Sequence, residues 1–300
     1  MSSILSNRVQ KVKPSATMAV SDKAKELKSQ GIQIVSMGSG EPDFDTPANI
    51  QKAAVKAIGA GETRYTPADG TPELKKAICE KFKRENGLDY SATEVMVSCG
   101  GKQVFYNLCQ AILNEGDEVI IPTPYWVSYP DMAILADATP VFIEAGLDQD
   151  FKITPDQLEA SITPKSKLFV LNSPSNPTGS VYSKSEIEAL GEVLERHPHV
   201  LTISDDIYEH IRWGEDDFVN IAMACPNLKE RVVILNGVSK AYAMTGWRIG
   251  YAAGPEAVIK AMKKIQGQST SNPSSISQAA ALEAITGDQS FISMMVEAFE

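Results

Sequence analysis

The stretch KLFVLNSPSNPTGSVYSKSEIEALGEVLERHPHVLTIS, residues 167–204, contains the pattern that decides the fold. An apolar run at 167–172 is followed by a loop with two prolines, an amphipathic stretch at 183–196 and a second apolar run at 200–204. This order predicts a strand, a helix and a strand. Neighbouring parallel strands need such a crossover, so the stretch indicates one unit of a parallel sheet.

The same alternation extends through most of the chain. Further short runs typical of strands recur at residues 32–37, 95–98, 118–121, 140–144, 231–236 and 249–253. Helical spacing is found at residues 21–29, 71–86 and 102–113. The apolar residues 232–235 are consecutive, as expected where helices cover both faces of a sheet. The sequence therefore predicts an α/β domain with a mainly parallel sheet.

Composition and charge exclude several classes of protein. Of the 300 residues, 43% are hydrophobic and 22% are charged, which excludes a disordered, collagen-like or coiled-coil chain. The net charge of −10 disfavours binding to nucleic acid or to anionic membranes. No apolar run approaches the roughly 18 residues that cross a bilayer, and the start resembles no signal peptide. We expect a soluble, cytoplasmic protein whose four cysteines are reduced thiols.

Several common motifs are incomplete or missing. GSGEPD at residues 38–43 begins like a dinucleotide fingerprint, but it lacks the third glycine and has a turn signal where that fingerprint needs a helix. The sequence has no GxxxxGK(S/T), GxSxG or HExxH motif. Nucleotide hydrolysis, α/β-hydrolase chemistry and zinc proteolysis therefore lose their usual support, and we predict no metal site.

Two loops that follow predicted strands are candidates for ligand binding. Gly100, Gly101 and Lys102 join a predicted strand to a predicted helix, whose first N–H groups would bind a phosphate or carboxylate. An ordinary tight turn explains the same residues equally well. Asn176 lies in the loop with two prolines, which would hold it at a fixed position, although that loop alone is a plausible turn.

Charged and aromatic residues follow the other predicted strands. Asp205, with Tyr208 three residues later, is a carboxylate at the end of a buried strand and needs a cation or hydrogen-bond donors, unless it only caps a helix. Lys240 lies among small and apolar residues that would lower its pKa and suit it to forming an imine, whereas a lone lysine there is normally solvated. Arg248 offers a planar cation for phosphate, and Trp126 can stack on a planar ring or simply pack in the core.

The glycines at 100–101, Asn176, Asp205 with Tyr208, Lys240 and Trp126 all lie at or just beyond the carboxyl ends of predicted strands, the edge at which open α/β sheets bind ligands. Together they indicate a ligand with a phosphate, a carbonyl that condenses with an amine, a ring nitrogen that pairs with a carboxylate, and a phenolic oxygen. Pyridoxal 5′-phosphate has all four groups.

The ordered motifs resemble those of the fold-type I, class I aminotransferases, and are most similar to the bacterial aspartate aminotransferases, some of which also accept prephenate. The resemblance covers essentially the whole chain. Its motifs are VKPSAT at 12–17, GEPDFDTP at 40–47, YTP at 65–67, GGKQ at 100–103, PYW at 124–126, NPTG at 176–179, DDIY at 205–208, SK at 239–240 and GWR at 246–248. The resemblance implies a seven-stranded, mainly parallel sheet sandwiched by helices, and an incomplete small domain.

The resemblance also implies roles for the site residues, with Lys240, Asp205 and Tyr208 as the catalytic ones. Lys240 would bind the aldehyde of pyridoxal 5′-phosphate covalently and then move a proton at the substrate. Asp205 would pair with the pyridine nitrogen, and Trp126 would stack on the ring. Asn176 and Tyr208 would hydrogen-bond the 3′ oxygen.

Phosphate and substrate contacts are implied in the same way. The residues expected at the cofactor phosphate are Gly100, Gly101, Lys102, Arg248 and, from a neighbouring subunit of a homodimer, Tyr65. Those expected at the substrate are Gly40, Trp126 and Asn176. Lys102 and Lys13 are candidates for the distal carboxylate of a dicarboxylic substrate, and Lys13 for the use of prephenate.

The expected reaction transfers an amino group from L-aspartate to 2-oxoglutarate, giving oxaloacetate and L-glutamate, with prephenate as a further substrate. An aromatic or alanine-type aminotransferase and a pyridoxal-phosphate-dependent lyase are the alternatives, as is a non-catalytic fragment if Glu300 is the natural end. We expect an arm and part of a small domain at 1–44, a large cofactor-binding domain at 45–285, and at 286–300 the start of an interdomain helix leading to a missing small domain. The predicted helix at 291–299 has no stop signal, which suggests truncation.

Overall fold

The computed structural model describes residues 4–14, 16–35, 37–38, 40–214 and 217–300. Within these residues, the strands are β1 (Val95–Ser98), β2 (Glu118–Thr123), β3 (Thr139–Glu144), β4 (Ser166–Asn172), β5 (Leu201–Asp205), β6 (Val232–Gly237) and β7 (Gly250–Ala253). The α-helices are α1 (Asn7–Lys11), α2 (Ala16–Ser29), α3 (Ala48–Gly59), α4 (Pro72–Asn86), α5 (Gly101–Ile112), α6 (Ser128–Leu135), α7 (Pro155–Ser161), α8 (Lys184–Arg196), α9 (Ile221–Ala224), α10 (Glu256–Gly267), α11 (Ser275–Thr286) and α12 (Phe291–Phe299).

Side-chain caps fix where several helices begin. The hydroxyl of Ser183 accepts a hydrogen bond from the Glu186 N–H, and the Glu186 side chain accepts one from the Ser183 N–H. This capping box starts α8, the crossover helix between β4 and β5, at the position that the sequence predicts. Thr71 caps α4 in a similar way by accepting from the Leu74 N–H.

The seven strands form one sheet in the order β1-β7-β6-β5-β4-β2-β3. Strand β7 is antiparallel to both of its neighbours, and the other neighbouring strands are parallel. Asn172 lies opposite Asp205, and Asp205 lies opposite Leu235, so the carboxyl ends of β4, β5 and β6 meet at one edge. The predicted seven-stranded, mainly parallel sheet is confirmed.

Apolar side chains of each central strand pack on both faces of the sheet. In β6, Val232 and Ile234 belong to one hydrophobic cluster, and Val233 and Leu235 belong to the other. Every residue of β6 is buried. Helices cover both faces, which explains why the strand is apolar at consecutive positions.

The strand predicted at residues 32–37 is the main error of the sequence interpretation. Residues 32–35 and 37 form no strand, and Ile32 and Val35 are 48% and 88% exposed. A strand needs a neighbour for its backbone hydrogen bonds, and none of the described strands lies beside this segment. Helix α2 also begins at Ala16 instead of residue 21, although the other boundaries differ by only a few residues.

Among the described residues, no helix has both the length and the apolar character needed to cross a bilayer. The division into parts at 1–44, 45–285 and 286–300 stays a prediction.

Candidate active site

The carboxyl edge of the sheet contains a pocket of about 360 Å³. It is lined by Gly40 and Glu41 and by residues at or just beyond the ends of β1, β2, β4, β5 and β6. Nine of the predicted site residues meet there: Gly40, Gly101, Lys102, Trp126, Asn176, Asp205, Tyr208, Lys240 and Arg248. The parallel order of the strands explains this convergence, because their carboxyl ends face the same side.

Asp205 is a buried carboxylate that lines the pocket. It ends β5 and is only 5% exposed. Burial raises the pKa of its carboxyl to about 6, against the opposing effects of the Tyr129 hydroxyl, the Ile207 N–H and the Lys240 ammonium. The carboxyl is therefore mostly ionised at pH 7, but a positively charged ligand atom beside it would be strongly favoured.

Asn176 and Tyr208 are joined by a hydrogen bond at the pocket wall. The Asn176 amide Nδ2 donates to the Tyr208 hydroxyl at 3.3 Å. Asn172, at the end of β4, accepts from the Asn176 backbone N–H at 2.8 Å and donates to the Asp205 backbone oxygen at 2.9 Å. Burial, with the nearby Asp205 charge, raises the pKa of Tyr208 to about 12, so its hydroxyl stays a donor at neutral pH.

The amine of Lys240 lies in the same pocket and donates to the Gly40 backbone oxygen. Its Nζ is 5.7 Å from the centre of the Tyr208 ring. Burial lowers the pKa of this amine and Arg248 lowers it further, whereas Glu41 and Asp205 oppose the shift. A lysine with a lowered pKa has more of the neutral amine that attacks a carbonyl.

The start of α5 forms a cradle for an anion. Gly100 precedes the helix with φ +89°, and it has no side chain that could accept a hydrogen bond from the first turn. The first N–H groups of α5 therefore lack a side-chain cap and are available to a ligand. A Cβ atom at Gly100 would lie 2.5 Å from Arg248 Nη2, so only glycine lets the guanidinium approach. Burial and Arg248 both lower the pKa of Lys102, whose Nζ is 5.2 Å from the centre of the Trp126 ring.

The charges of the pocket fit a phosphorylated pyridine aldehyde. In the part of the chain that the structure describes, no carboxylate forms an ion pair with Lys102, Lys240 or Arg248. Cations without carboxylate partners around a helix N-terminus are suited to a phosphate. The same pocket also contains the buried carboxylate of Asp205, which could pair with a positively charged ring nitrogen.

Three predicted residues do not line this pocket. Gly100 lies just behind it and supports the cradle. Tyr65 is 91% exposed, and Lys13 is exposed as well. Their roles at a neighbouring subunit and at the substrate stay predictions.

Tyr129, Glu41 and Thr245 also line the pocket, although the sequence did not predict them as site residues. Tyr129 donates to Asp205 at 2.5 Å, and Thr245 donates to the Glu41 carboxylate. A signal for Tyr129 was present, since it follows Trp126 by three residues and so lies about one helical turn away. No sequence signal pointed to the other two.

A second group of polar side chains lies near the end of α4. Glu85, Glu209 and His210 have the geometry of metal ligands, the one such group found in the described part of the chain. However, the Lys81 ammonium donates to Glu209 and lies 3.4 Å from a Glu85 carboxylate oxygen. We interpret the group as an ion-pair network, because a lysine already supplies the positive charge.

Comparison with known proteins agrees with this geometry. A family model described as aminotransferase class I and II matches residues 32–300. The aspartate/prephenate aminotransferase of Nitrosomonas europaea is 59% identical over 295 residues, which are 98% of this chain and 74% of that protein. That of Cereibacter sphaeroides is 59% identical over 296 residues, 99% of this chain and 74% of the relative.

Solved structures are similar over the same extent. The aspartate aminotransferase of Rhizobium meliloti superimposes with a TM-score of 0.95 at 50% identity and covers 98% of this chain and 74% of its own. The Thermus thermophilus aspartate aminotransferase with maleate has a TM-score of 0.95 at 47% identity, and the match covers 98% of this chain and 77% of that chain. The chain belongs to the class I and II aminotransferases.

Proposed function

We propose that this protein transfers the amino group of L-aspartate to 2-oxoglutarate, giving oxaloacetate and L-glutamate, with pyridoxal 5′-phosphate as cofactor. The observation that carries the proposal is the position of Lys240, whose pKa is lowered by burial, in one pocket with the buried Asp205 carboxylate and the cradle at α5. The names of the relatives support the choice of aspartate.

The pocket residues suit each part of the cofactor. The N–H groups at the start of α5 and the Arg248 guanidinium would hold the phosphate, and Asp205 would pair with the pyridine nitrogen. Asn176 and Tyr208 would hydrogen-bond the phenolic oxygen. Bound there, the cofactor supplies an electron sink for negative charge at the substrate α-carbon.

The residues of the chain perform the remaining tasks. The neutral Lys240 amine would hold the cofactor through its aldehyde group, and the same amine would be the base that accepts the proton from the substrate α-carbon. Asp205, ionised at neutral pH, would keep the ring nitrogen protonated. Trp126 would cover one face of the ring and exclude water from it.

Substrate choice and assembly are finer parts of the proposal. Lys102 lies at the pocket and would attract the distal carboxylate of aspartate. Lys13 would assist in binding prephenate. The exposed Tyr65 would reach the phosphate of a second subunit in a homodimer. A cytoplasmic location stays a prediction.

Replacing the lysine amine tests the central step. We expect Lys240→Ala to lose the absorbance band of the lysine-bound cofactor and at least a thousandfold of the activity with aspartate, because the variant lacks the amine that would bind the cofactor aldehyde and accept the substrate proton. Lys260→Ala is the matched control, since that lysine is exposed on α10 and its ion pair is with Glu256 on the same helix. An unchanged band in Lys240→Ala would refute the proposal.

The amino donor is tested by separate half-reactions with aspartate, phenylalanine and alanine. Conversion of the bound cofactor to its amine form should be fastest with aspartate, because the pocket cations favour a second carboxylate. Faster conversion with phenylalanine or alanine would favour the aromatic or alanine-type alternative. Release of ammonia with the cofactor left in its aldehyde form would favour a lyase, whereas the absence of any conversion would favour a non-catalytic fragment.

A further inference from the structure

The hydroxyl of Tyr129 donates a hydrogen bond to the Asp205 carboxylate. Tyr129 lies in the first turn of α6 and is 2% exposed. Its Oη is 2.5 Å from Oδ2 of Asp205, and the other carboxylate oxygen accepts the Ile207 backbone N–H at 3.3 Å. In the described part of the chain, Tyr129 is thus the one side chain that donates to this carboxylate.

The ring of the same tyrosine packs against Trp126. The two ring centroids are 5.2 Å apart, with an interplanar angle of 87°. Tyr129 also contacts the ring of Phe105 at a centroid distance of 4.9 Å, which restricts its orientation. One buried side chain therefore contacts both the group expected at the cofactor's ring nitrogen and the group expected on its face.

We propose that Tyr129 is a positioning residue that holds the Asp205 carboxylate and the Trp126 ring in the arrangement that a bound pyridine ring requires. This inference rests on the proposed function, since it assigns Tyr129 to the same cofactor site. The hydroxyl acts through Asp205, by favouring the ionised carboxylate that pairs with a protonated ring nitrogen.

The pH dependence of cofactor binding follows from this arrangement. The titratable groups that face Asp205 are Tyr129 from α6, Tyr208 and Asp206 from the turn after β5, and Lys240 from the loop after β6. Loss of the Tyr129 hydroxyl removes a donor that lowers the pKa of Asp205, whereas the other groups remain. The carboxyl should then become protonated at a higher pH.

The test uses cofactor-free protein and pyridoxine 5′-phosphate, which has no aldehyde and so reports pairing without the bond to Lys240. Binding is measured by fluorescence between pH 5 and 8. We expect Tyr129→Phe to weaken binding about tenfold at pH 7 and to move the midpoint of its pH dependence upward by about one unit. Tyr90→Phe is the control, because no described residue forms a hydrogen bond with the buried Tyr90 hydroxyl and its ring lies outside the pocket.

The outcomes separate this inference from the proposed function. If the unaltered protein binds neither pyridoxal 5′-phosphate nor the probe, the proposed function fails. If it binds both, and Tyr129→Phe keeps its affinity and pH midpoint, only the role of Tyr129 is refuted. A variant with a donor, Tyr129→His, should bind the probe more tightly than Tyr129→Phe; equal losses in the two variants would also refute the role. Thermal unfolding verifies that each variant is folded.

Discussion

The carboxyl group of Asp205 lies at the end of a central strand with almost no access to water. Burial of an ionised carboxylate is unfavourable, and three groups reduce that cost: the Tyr129 hydroxyl, the Ile207 N–H and the Lys240 ammonium. They do not remove it, since the pKa of the carboxyl remains raised to about 6. A residue kept at such a cost is typical of a binding or catalytic site.

At this residue scale we predict that Asp205→Asn stabilises the cofactor-free protein above pH 6. The pKa of Asp205 in the folded protein lies above the ordinary value of 3.8, so folding favours the protonated carboxyl. The free energy of unfolding therefore has its full contribution from this group below about pH 3.8 and loses it as the pH rises through about 6. The amide of Asp205→Asn does not ionise, so the variant does not lose this stability. At pH 8 its free energy of unfolding should exceed that of the unaltered protein by about 3 kcal/mol.

Urea unfolding at pH 5 and pH 8 measures this difference. Asp150→Asn, at an exposed residue, is the control and should show no pH-dependent gain. Cofactor affinity should fall in Asp205→Asn at the same time, because the ring nitrogen loses its counter-charge. An Asp205→Asn protein less stable than the unaltered one at pH 8 would contradict the argument.

At the scale of elements, β7 packs directly against the anion cradle, the backbone of Gly100 and Gly101 at the start of α5. A Cβ atom at Gly250 would lie 2.4 Å from the Gly101 backbone nitrogen and 2.5 Å from the Gly100 carbonyl carbon. Backbone contacts this close are available only to glycine. The strand thus fixes the position of the start of α5, and with it the N–H groups that face the pocket.

We therefore predict that Gly250→Ala displaces the cradle. The added methyl group should lower the free energy of unfolding by about 1 to 3 kcal/mol and weaken phosphate and cofactor binding at least tenfold. Gly267→Ala in α10, where an added Cβ meets nothing within 4 Å, is the control. Titration with inorganic phosphate and with pyridoxal 5′-phosphate measures the effect. Normal affinity for both ligands in Gly250→Ala would show that the cradle does not depend on this contact.

On the scale of the whole molecule, a buried ion pair connects α4 to the strand ends that carry the site. Lys81 is 0% exposed and donates to Glu209, the residue after Tyr208. Glu209 also accepts from Asn236 at 2.7 Å, close to the end of β6. The network therefore joins a helix to the turn that carries Tyr208 and to the strand that leads to Lys240.

We predict that Lys81→Met destabilises the protein by about 3 to 5 kcal/mol, because Glu209 would be left buried without its cation. Lys76→Met, on the same helix with an exposed side chain, should cost far less. Replacing both partners, in Lys81→Met with Glu209→Leu, should restore part of the lost stability. Denaturant unfolding of the four proteins measures this, and a loss in Lys81→Met no greater than in Lys76→Met would contradict it.

Much of the site was predictable because its residues follow strands directly. Asp205 ends β5, and Lys240 follows β6 by three residues, so strand periodicity alone located both at one edge. The segment at 32–37 shows the limit of the same reasoning. Its apolar residues favour a strand, but a strand forms only beside another, and the sequence does not reveal which neighbours are present.

Apart from the strand expected at 32–37, the amino-acid sequence was enough to predict the order of the strands and the chemical groups at the strand ends, since periodicity, caps and turns act over a few residues. The tertiary structure alone decided which of those groups touch. Tyr129 and Asp205 are 76 residues apart in the chain, and the Lys81–Glu209 pair is separated by 128. Such contacts depend on how helices pack on the sheet, and packing is a property of the whole folded chain that no local pattern contains.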